Sequence, residues 1–246
     1  MSHLSSPPRV PVVDAVDLRR DYGHGPATVV ALANATCRIT AGQQIALMGP
    51  SGSGKSTLVH LLAGIDTPTS GTVSWPALVD EPRLRPGPIG VVFQAPSLLP
   101  PLTVVENVAL PLLLGGASDT EATAAAREAL ALLELDTLAN KLPEELSGGQ
   151  AQRVAIARVL AGNPKLILAD EPTGQLDHDT ATHVIDVLIA AADASGAALL
   201  INTHDPSVAA RFAIHWSMHD GTLTTVATAA MATTTMTTSA PAATSC

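Results

Sequence analysis

The stretch Gly49-Pro50-Ser51-Gly52-Ser53-Gly54-Lys55-Ser56-Thr57 fits the pattern G-x-x-x-x-G-K-[ST]. The apolar run Ile45-Ala46-Leu47-Met48 precedes it, and Leu58-Val59-His60-Leu61-Leu62-Ala63 follows. That is the strand–loop–helix context the pattern needs. The glycines let the backbone close around an anion with its amide N–H groups turned inward. The start of the following helix adds unpaired N–H groups and the positive end of a dipole. Lys55 brings a full positive charge to the outer phosphates, and the Ser56 hydroxyl suits a Mg²⁺ ion. The stretch therefore implies nucleotide binding and an α/β fold around it.

The bulk numbers narrow the class. A chain of 246 residues with 46% apolar residues can bury a substantial core. A net charge of −9 and the lack of a dense Lys/Arg run argue against a nucleic-acid partner. Cys37 and Cys246 have neither metal-type spacing nor a disulfide framework, which suits a reducing compartment. The apolar segments are interrupted by Glu106, Pro111 and Asp193, short of the roughly 20 residues a crossing needs. Residues Met1–Pro8 lack the layout of a secretory signal. These features lead us to expect a soluble, cytoplasmic chain.

Outward from the loop, Val10–Leu18 and Val29–Ile39 read as strands around a turn at Asp21–Pro26. Tyr22, the single tyrosine, lies there, either as an edge-packing residue or as a flat face for a purine. A short strand is expected at Thr72–Trp75 and a buried one at Ile89–Phe93, ending on Gln94. From about residue 95 to 150 the character turns helical. Thr103-Val104-Val105-Glu106 forms a capping box, and Ser118–Leu135 has helical spacing. Leu146-Ser147-Gly148-Gly149-Gln150 opens a helix over Ala151–Ala161, a second potential anion site. Leu166–Glu171 is an apolar strand closing on two carboxylates, Asp170 and Glu171. Ligands collect at the carboxyl ends of parallel strands, which is where this pair falls. His178–Ala192 reads as a helix. Ala197–Thr203 reads as a strand leading to His204, and Phe212–Val226 as a hairpin. We expect residues 1–9 to be an extension, 10–226 one domain, and the Thr/Ala-rich 227–246, with onset near Thr224, a disordered tail.

Taken in order, Gly49–Thr57, Gln94, Leu146–Gln150, Leu168–Glu171, Leu176-Asp177 and His204 resemble the phosphate loop, Q-loop, signature, Walker B, D-loop and switch histidine of ABC-type ATPase subunits. The resemblance covers roughly Val10 to Val226. Locally it is similar to the macrolide-export and lipoprotein-release branch, through Val92-Phe93-Gln94, Leu102–Val108, Gln152–Arg158 and Ala169–Gly174. The short, proline-rich Ser74–Pro88 and Gln175 beside Leu176 depart from that branch.

The resemblance implies a P-loop NTPase core with a mainly parallel sheet, an N-terminal antiparallel β subdomain and a helical insert at about 95–150. It implies ATP and Mg²⁺ as cofactors. Tyr22 would stack on adenine, and Gly49, Pro50, Ser51, Gly52, Ser53, Gly54, Lys55, Ser56, Thr57 and Gln94 would hold the nucleotide. Ser56, Gln94 and Asp170 would hold the metal. Glu171 would be the general base, with His204 beside the γ-phosphate. Leu146, Ser147, Gly148, Gly149 and Gln150, with Asp177 near them, would face the ATP of a second, head-to-tail copy. A separate transmembrane permease would receive the motion, on the inner face of the cell membrane. An exporter or membrane-release ATPase is the leading expectation. Cell-division-type mechanotransmission and a non-transport ABC ATPase are the alternatives.

Overall fold

The computed structural model describes residues 10–79 and 84–227. The expected N-terminal extension and almost all of the expected tail lie outside that range.

The chain begins with two long antiparallel strands, β1 (Pro11–Tyr22) and β2 (Val29–Thr40). Ala35, Cys37 and Ile39 alternate inward along β2, as a half-buried strand requires. β1 runs past the expected end at Leu18. Arg20, Asp21 and Tyr22 still pair with β2, although the turn is expected to begin at Asp21. The turn therefore starts at Gly23 rather than Asp21. β4 (Ser70–Ser74) pairs antiparallel on the other side of β1.

The central strands are β3 (Gln44–Met48), β5 (Ile89–Val92), β6 (Leu166–Asp170), β7 (Ala198–Asn202) and β8 (Ile214–His219). They are mutually parallel in the order β8-β3-β7-β6-β5. β6 and β7 are buried at every residue, which explains their continuous apolar runs. Each buried Leu or Ile there contributes about 1.5–3 kcal/mol, so the strand ends make a stiff platform. β9 (Thr222–Ala227) returns antiparallel to β8 through Asp220 and Gly221, both at positive φ. Thr224 and Thr225 are thus ladder residues paired with Ser217 and Trp216, not the onset of a tail. The N–H groups of Ala33 and Asn34 donate to Gly221 O, stitching this hairpin to β2. Among the described residues the result is one nine-stranded sheet.

Helix α1 (Lys55–Leu62) follows β3 directly. In the insert, α2 (Val104–Leu114) and α3 (Asp119–Leu132) start at the capping boxes Thr103/Glu106 and Ser118/Glu121. α3 stops at Leu132, earlier than the expected Leu135, because Glu134 turns to positive φ and sends Leu133 and Leu135 into the core. α4 (Gly148–Leu160) starts earlier than expected. The reciprocal Ser147–Gln150 cap brings both glycines into its first turn. α5 (His178–Ser195) ends at Gly196, which is left-handed, and α6 (Pro206–Ala209) is short.

Two cores result. One joins β1, β2 and α1 to one face of the central sheet; the other joins the opposite face to α2–α5.

Candidate functional site

β3 delivers the chain to Met48, and the loop closes back onto α1 at Gly54, the helix N-cap with φ +100°. No side chain caps α1, so its first N–H groups are left for a ligand. The loop is wedged between two strands. A Cβ on Gly49 would lie within 3.0 Å of Met218 O, and one on Gly54 equally close to Ala31 O. Lys55 is buried, and its ammonium donates to Gly49 O (2.9 Å) and Pro50 O (2.8 Å). Ser53 is also buried, and its Oγ has no hydrogen-bond partner. An orphaned hydroxyl, uncapped helix N–H groups and a curled lysine fit a triphosphate, which would supply the missing acceptors.

The carboxyl ends of β5, β6 and β7 bring three predicted residues into contact. Asp170 closes β6 and is 5% exposed. Glu171 leaves the strand at φ +47°, and its N–H donates to Asn202 O (3.0 Å). That left-handed kink costs about 1–2 kcal/mol and turns the carboxylate away from the direction a strand would give it. Gln94 Nε2 donates to Glu171 Oε2 (3.2 Å), and His204 Nδ1 lies 3.4 Å from Glu171 Oε1. Gln94 thereby keeps its Oε1 available as an acceptor. Asp170 Oδ1 accepts from the Asn202 amide, directly opposite on β7.

A carboxylate with one oxygen held, a serine hydroxyl at the start of α1 and an amide oxygen suit Mg²⁺. This ion takes one or two carboxylates and completes its shell with phosphate and water.

The signature turn is a separate centre. Ser147 Oγ accepts from Gln150 N (3.2 Å), and Gln150 Oε1 accepts from Ser147 N (2.9 Å). Gly148 and Gly149 lie against Gln175 and Leu176. Asp177 caps α5 by accepting from Thr180 N (3.0 Å) and Thr180 Oγ1 (2.7 Å), bonds that hold its carboxyl below the usual range. Among the described residues, no hydrogen bond or ion pair ties Leu146–Gln150 to the phosphate loop.

Tyr22 closes β1, pairs with Val29 and is 39% exposed. Its hydroxyl donates to Asp66.

Several contacts escaped the sequence reading. Asn202 ends an otherwise apolar strand, and that lone polar residue two positions before His204 was the available signal. Gln152 Nε2 donates to Phe93 O (3.1 Å), while Arg158 donates to Ser97 O and Pro96 O (each 3.1 Å). Together they tie α4 to the segment carrying Gln94, and spacing alone gives no sign of it.

A phosphate loop on a parallel strand, two adjacent carboxylates at the end of a neighbouring strand and a second helix N-terminus define a P-loop nucleotide-binding protein. The profile of the ABC transporter family matches residues 32–174, more than half of the chain. The lipoprotein-releasing system ATP-binding protein LolD of Nitrobacter hamburgensis is 42% identical over 219 residues, covering 86% of this chain and 94% of that protein. LolD of Rhodopseudomonas palustris is 42% identical over 221 residues, covering 87% and 95%. Among solved structures, the ATP-binding cassette MJ0796, a dimer in a post-hydrolysis state bound to ADP and Pi, superposes with a TM-score of 0.80. It is 38% identical and covers 88% of this chain and 99% of that one. A second dimeric MJ0796 structure gives 0.81 at the same identity and coverage. The chain belongs to the ABC transporter family, as one of its ATP-binding subunits.

Proposed function

We propose that this subunit binds ATP with Mg²⁺ and hydrolyses it when two copies close head to tail. Closure would drive a separate membrane permease in a membrane-release system of the lipoprotein-releasing kind. The observation that carries the reading is the convergence of Gln94 and His204 on Glu171, beside the buried Asp170.

Each residue has a role that its surroundings support. Lys55 would exchange the carbonyls of Gly49 and Pro50 for phosphate oxygens. The N–H groups from Ser51 through Thr57, with the Ser51 and Ser53 hydroxyls, would cradle the remaining charge, with Gly49 and Pro50 shaping the loop's entry. Ser56, Asp170 and Gln94 would hold Mg²⁺, which neutralises charge on the phosphates. Glu171, with both oxygens oriented by Gln94 and His204, would take the proton of an attacking water as general base. His204 is exposed enough to reach the γ-phosphate. Ser147 and the N–H groups of Gly148 and Gly149 would hold the γ-phosphate of the other copy's ATP, with Asp177 beside them. Phosphoryl transfer depends mainly on positioning and charge stabilisation, so splitting these groups between copies makes hydrolysis contingent on closure. The dimeric relatives support that arrangement.

Among the described residues, no helix is long and apolar enough to cross a membrane. On this reading the permease is another chain, with this one peripheral on the inner face of the membrane. A largely apolar groove of about 940 Å³ lies between β5 and α2, lined by Phe93, Leu110, Leu114 and Arg158. It borders the Gln94 segment and offers a place for a permease element to push on it.

The test is Glu171→Gln in sedimentation velocity with ATP. The variant should accumulate as a dimer while turnover falls on the order of 10²–10⁴-fold. Unchanged turnover, or a monomer at saturating ATP, overturns the reading.

A further inference from the structure

Tyr22 is held by an unusually complete set of contacts. Its hydroxyl donates to Asp66 Oδ2 at 2.7 Å. The same oxygen accepts from Arg20 Nε at 2.8 Å, while Asp66 Oδ1 takes Arg20 Nη2 at 2.8 Å and Thr67 N at 2.7 Å. Arg20 closes the triangle by lying over the Tyr22 ring, with Cζ 4.6 Å from the centroid. Two further bonds fasten the same turn to the end of β1: Thr69 N donates to Arg19 O (2.7 Å), and Asp21 N donates to Thr69 Oγ1 (3.0 Å).

This set fixes the geometry of an exposed ring. A tyrosine at a strand end ordinarily samples several rotamers. Here the hydroxyl, one face and the adjoining backbone are each tied down, yet the ring stays 39% exposed. The tie comes from the turn that follows α1, the helix that begins at Lys55. The ring and the phosphate loop are therefore linked through one short stretch of chain, Lys55 to Asp66. A fork-like guanidinium pair to a carboxylate is also the most directional of ion pairs.

We infer that Asp66, with Arg20, is a positioning residue for base recognition: the pair presents the Tyr22 ring, backed by a cation, to the flat face of a nucleotide base. The inference rests on the reading that Tyr22 stacks on adenine. A cation behind the ring adds an electrostatic component to the stack. Pre-ordering the side chain removes the cost of immobilising it when ligand arrives, which corresponds to a roughly three- to tenfold gain in affinity. Asp66 itself touches no ligand.

The test is equilibrium titration of the full chain with two probes, Mg-ATP and inorganic triphosphate, which lacks the base. Asp66→Ala should weaken ATP binding roughly three- to tenfold and leave triphosphate binding unchanged. Asp66→Asn keeps an acceptor for the Tyr22 hydroxyl and should recover part of the loss. In a Tyr22→Ala background, Asp66→Ala should add nothing. Equal weakening of both probes means that Asp66 acts on the phosphate loop through α1, and the inference fails. If Tyr22→Ala weakens ATP but Asp66→Ala does not, stacking stands and the positioning role is wrong. If Tyr22→Ala leaves ATP affinity unchanged, the stacking reading itself is lost, and the inference with it. A thermal-unfolding curve for each variant confirms that the titrations compare folded proteins.

Discussion

The phosphate loop holds three glycines, Gly49, Gly52 and Gly54, whose surroundings differ, and alanine substitution should rank them. Gly52 has φ +78° and nothing within 4 Å of an added Cβ. Gly52→Ala therefore incurs only left-handed backbone strain, about 1–2 kcal/mol. Gly54 has φ +100°, and its Cβ would fall within 3.0 Å of Ala31 O, with Met218 Sδ at 3.3 Å. Gly49, at φ +153°, would meet Met218 O equally closely. Those oxygens belong to the β2 and β8 backbones and cannot swing aside as a side-chain tip would. Overpacking adds about 1–3 kcal/mol, bringing Gly54→Ala to roughly 2–5 kcal/mol in all. Against a total stability of about 5–15 kcal/mol that is a large fraction.

Urea unfolding of the nucleotide-free chain measures the ranking directly. Gly54→Ala should also lose nucleotide affinity, because the clash falls at the N-cap that aims Lys55. If Gly52→Ala proves as costly as Gly54→Ala, or Gly54→Ala lies within about 0.5 kcal/mol of the parent, the wedge between β2 and β8 is not what requires glycine.

Lys55→Ala removes the loop's one fixed charge, and ATP affinity should fall on the order of 10- to 100-fold, as loss of a charge-assisted hydrogen bond predicts. Isothermal titration checks this, and parental affinity contradicts the phosphate role. Arg158→Leu strips donors from the carbonyls of Pro96 and Ser97, and should destabilise the fold by about 1.5–3 kcal/mol. Amide exchange should then rise across residues 93–97 before it rises in β6; uniform exchange throughout the chain argues against a local clamp.

The legible parts of the molecule were those in which local chemistry and tertiary role coincide. The capping box at Thr103 marked a helix start because the capping residues and the orphan N–H groups lie within four positions. The runs Leu166–Ala169 and Ala198–Ile201 marked central strands because burial on both faces removes the need for alternation. What escaped was set by pairing across distance. Asp21 and Tyr22 look like the start of a turn until the opposite ladder, Val30 and Val29, is known to accept them. At Thr224 and Thr225 two readings overlapped: the hairpin over Phe212–Val226 holds, and the tail onset near Thr224 gives way because β8 supplies their partners. Glu171 was legible as a candidate, but its left-handed backbone was not. No sequence rule predicts a non-glycine residue at φ +47° after a strand.

That kink sets Glu171 among three anchors. Glu171 is gripped from three directions: its own N–H by Asn202 O, one oxygen by Gln94 and the other by His204. Asn202 and His204 belong to the buried platform of β7 and the chain just beyond it, whereas Gln94 sits on a segment fastened to α4 through Gln152 and Arg158. α4 is the helix whose first turn holds Ser147, Gly148 and Gly149. That turn therefore has a hydrogen-bonded route to one oxygen of Glu171, through α4 and the Gln94 segment. The carboxylate is held on one side by the chain at the buried end of β7 and on the other by the clamped Gln94 segment, and the two anchors meet at this one residue.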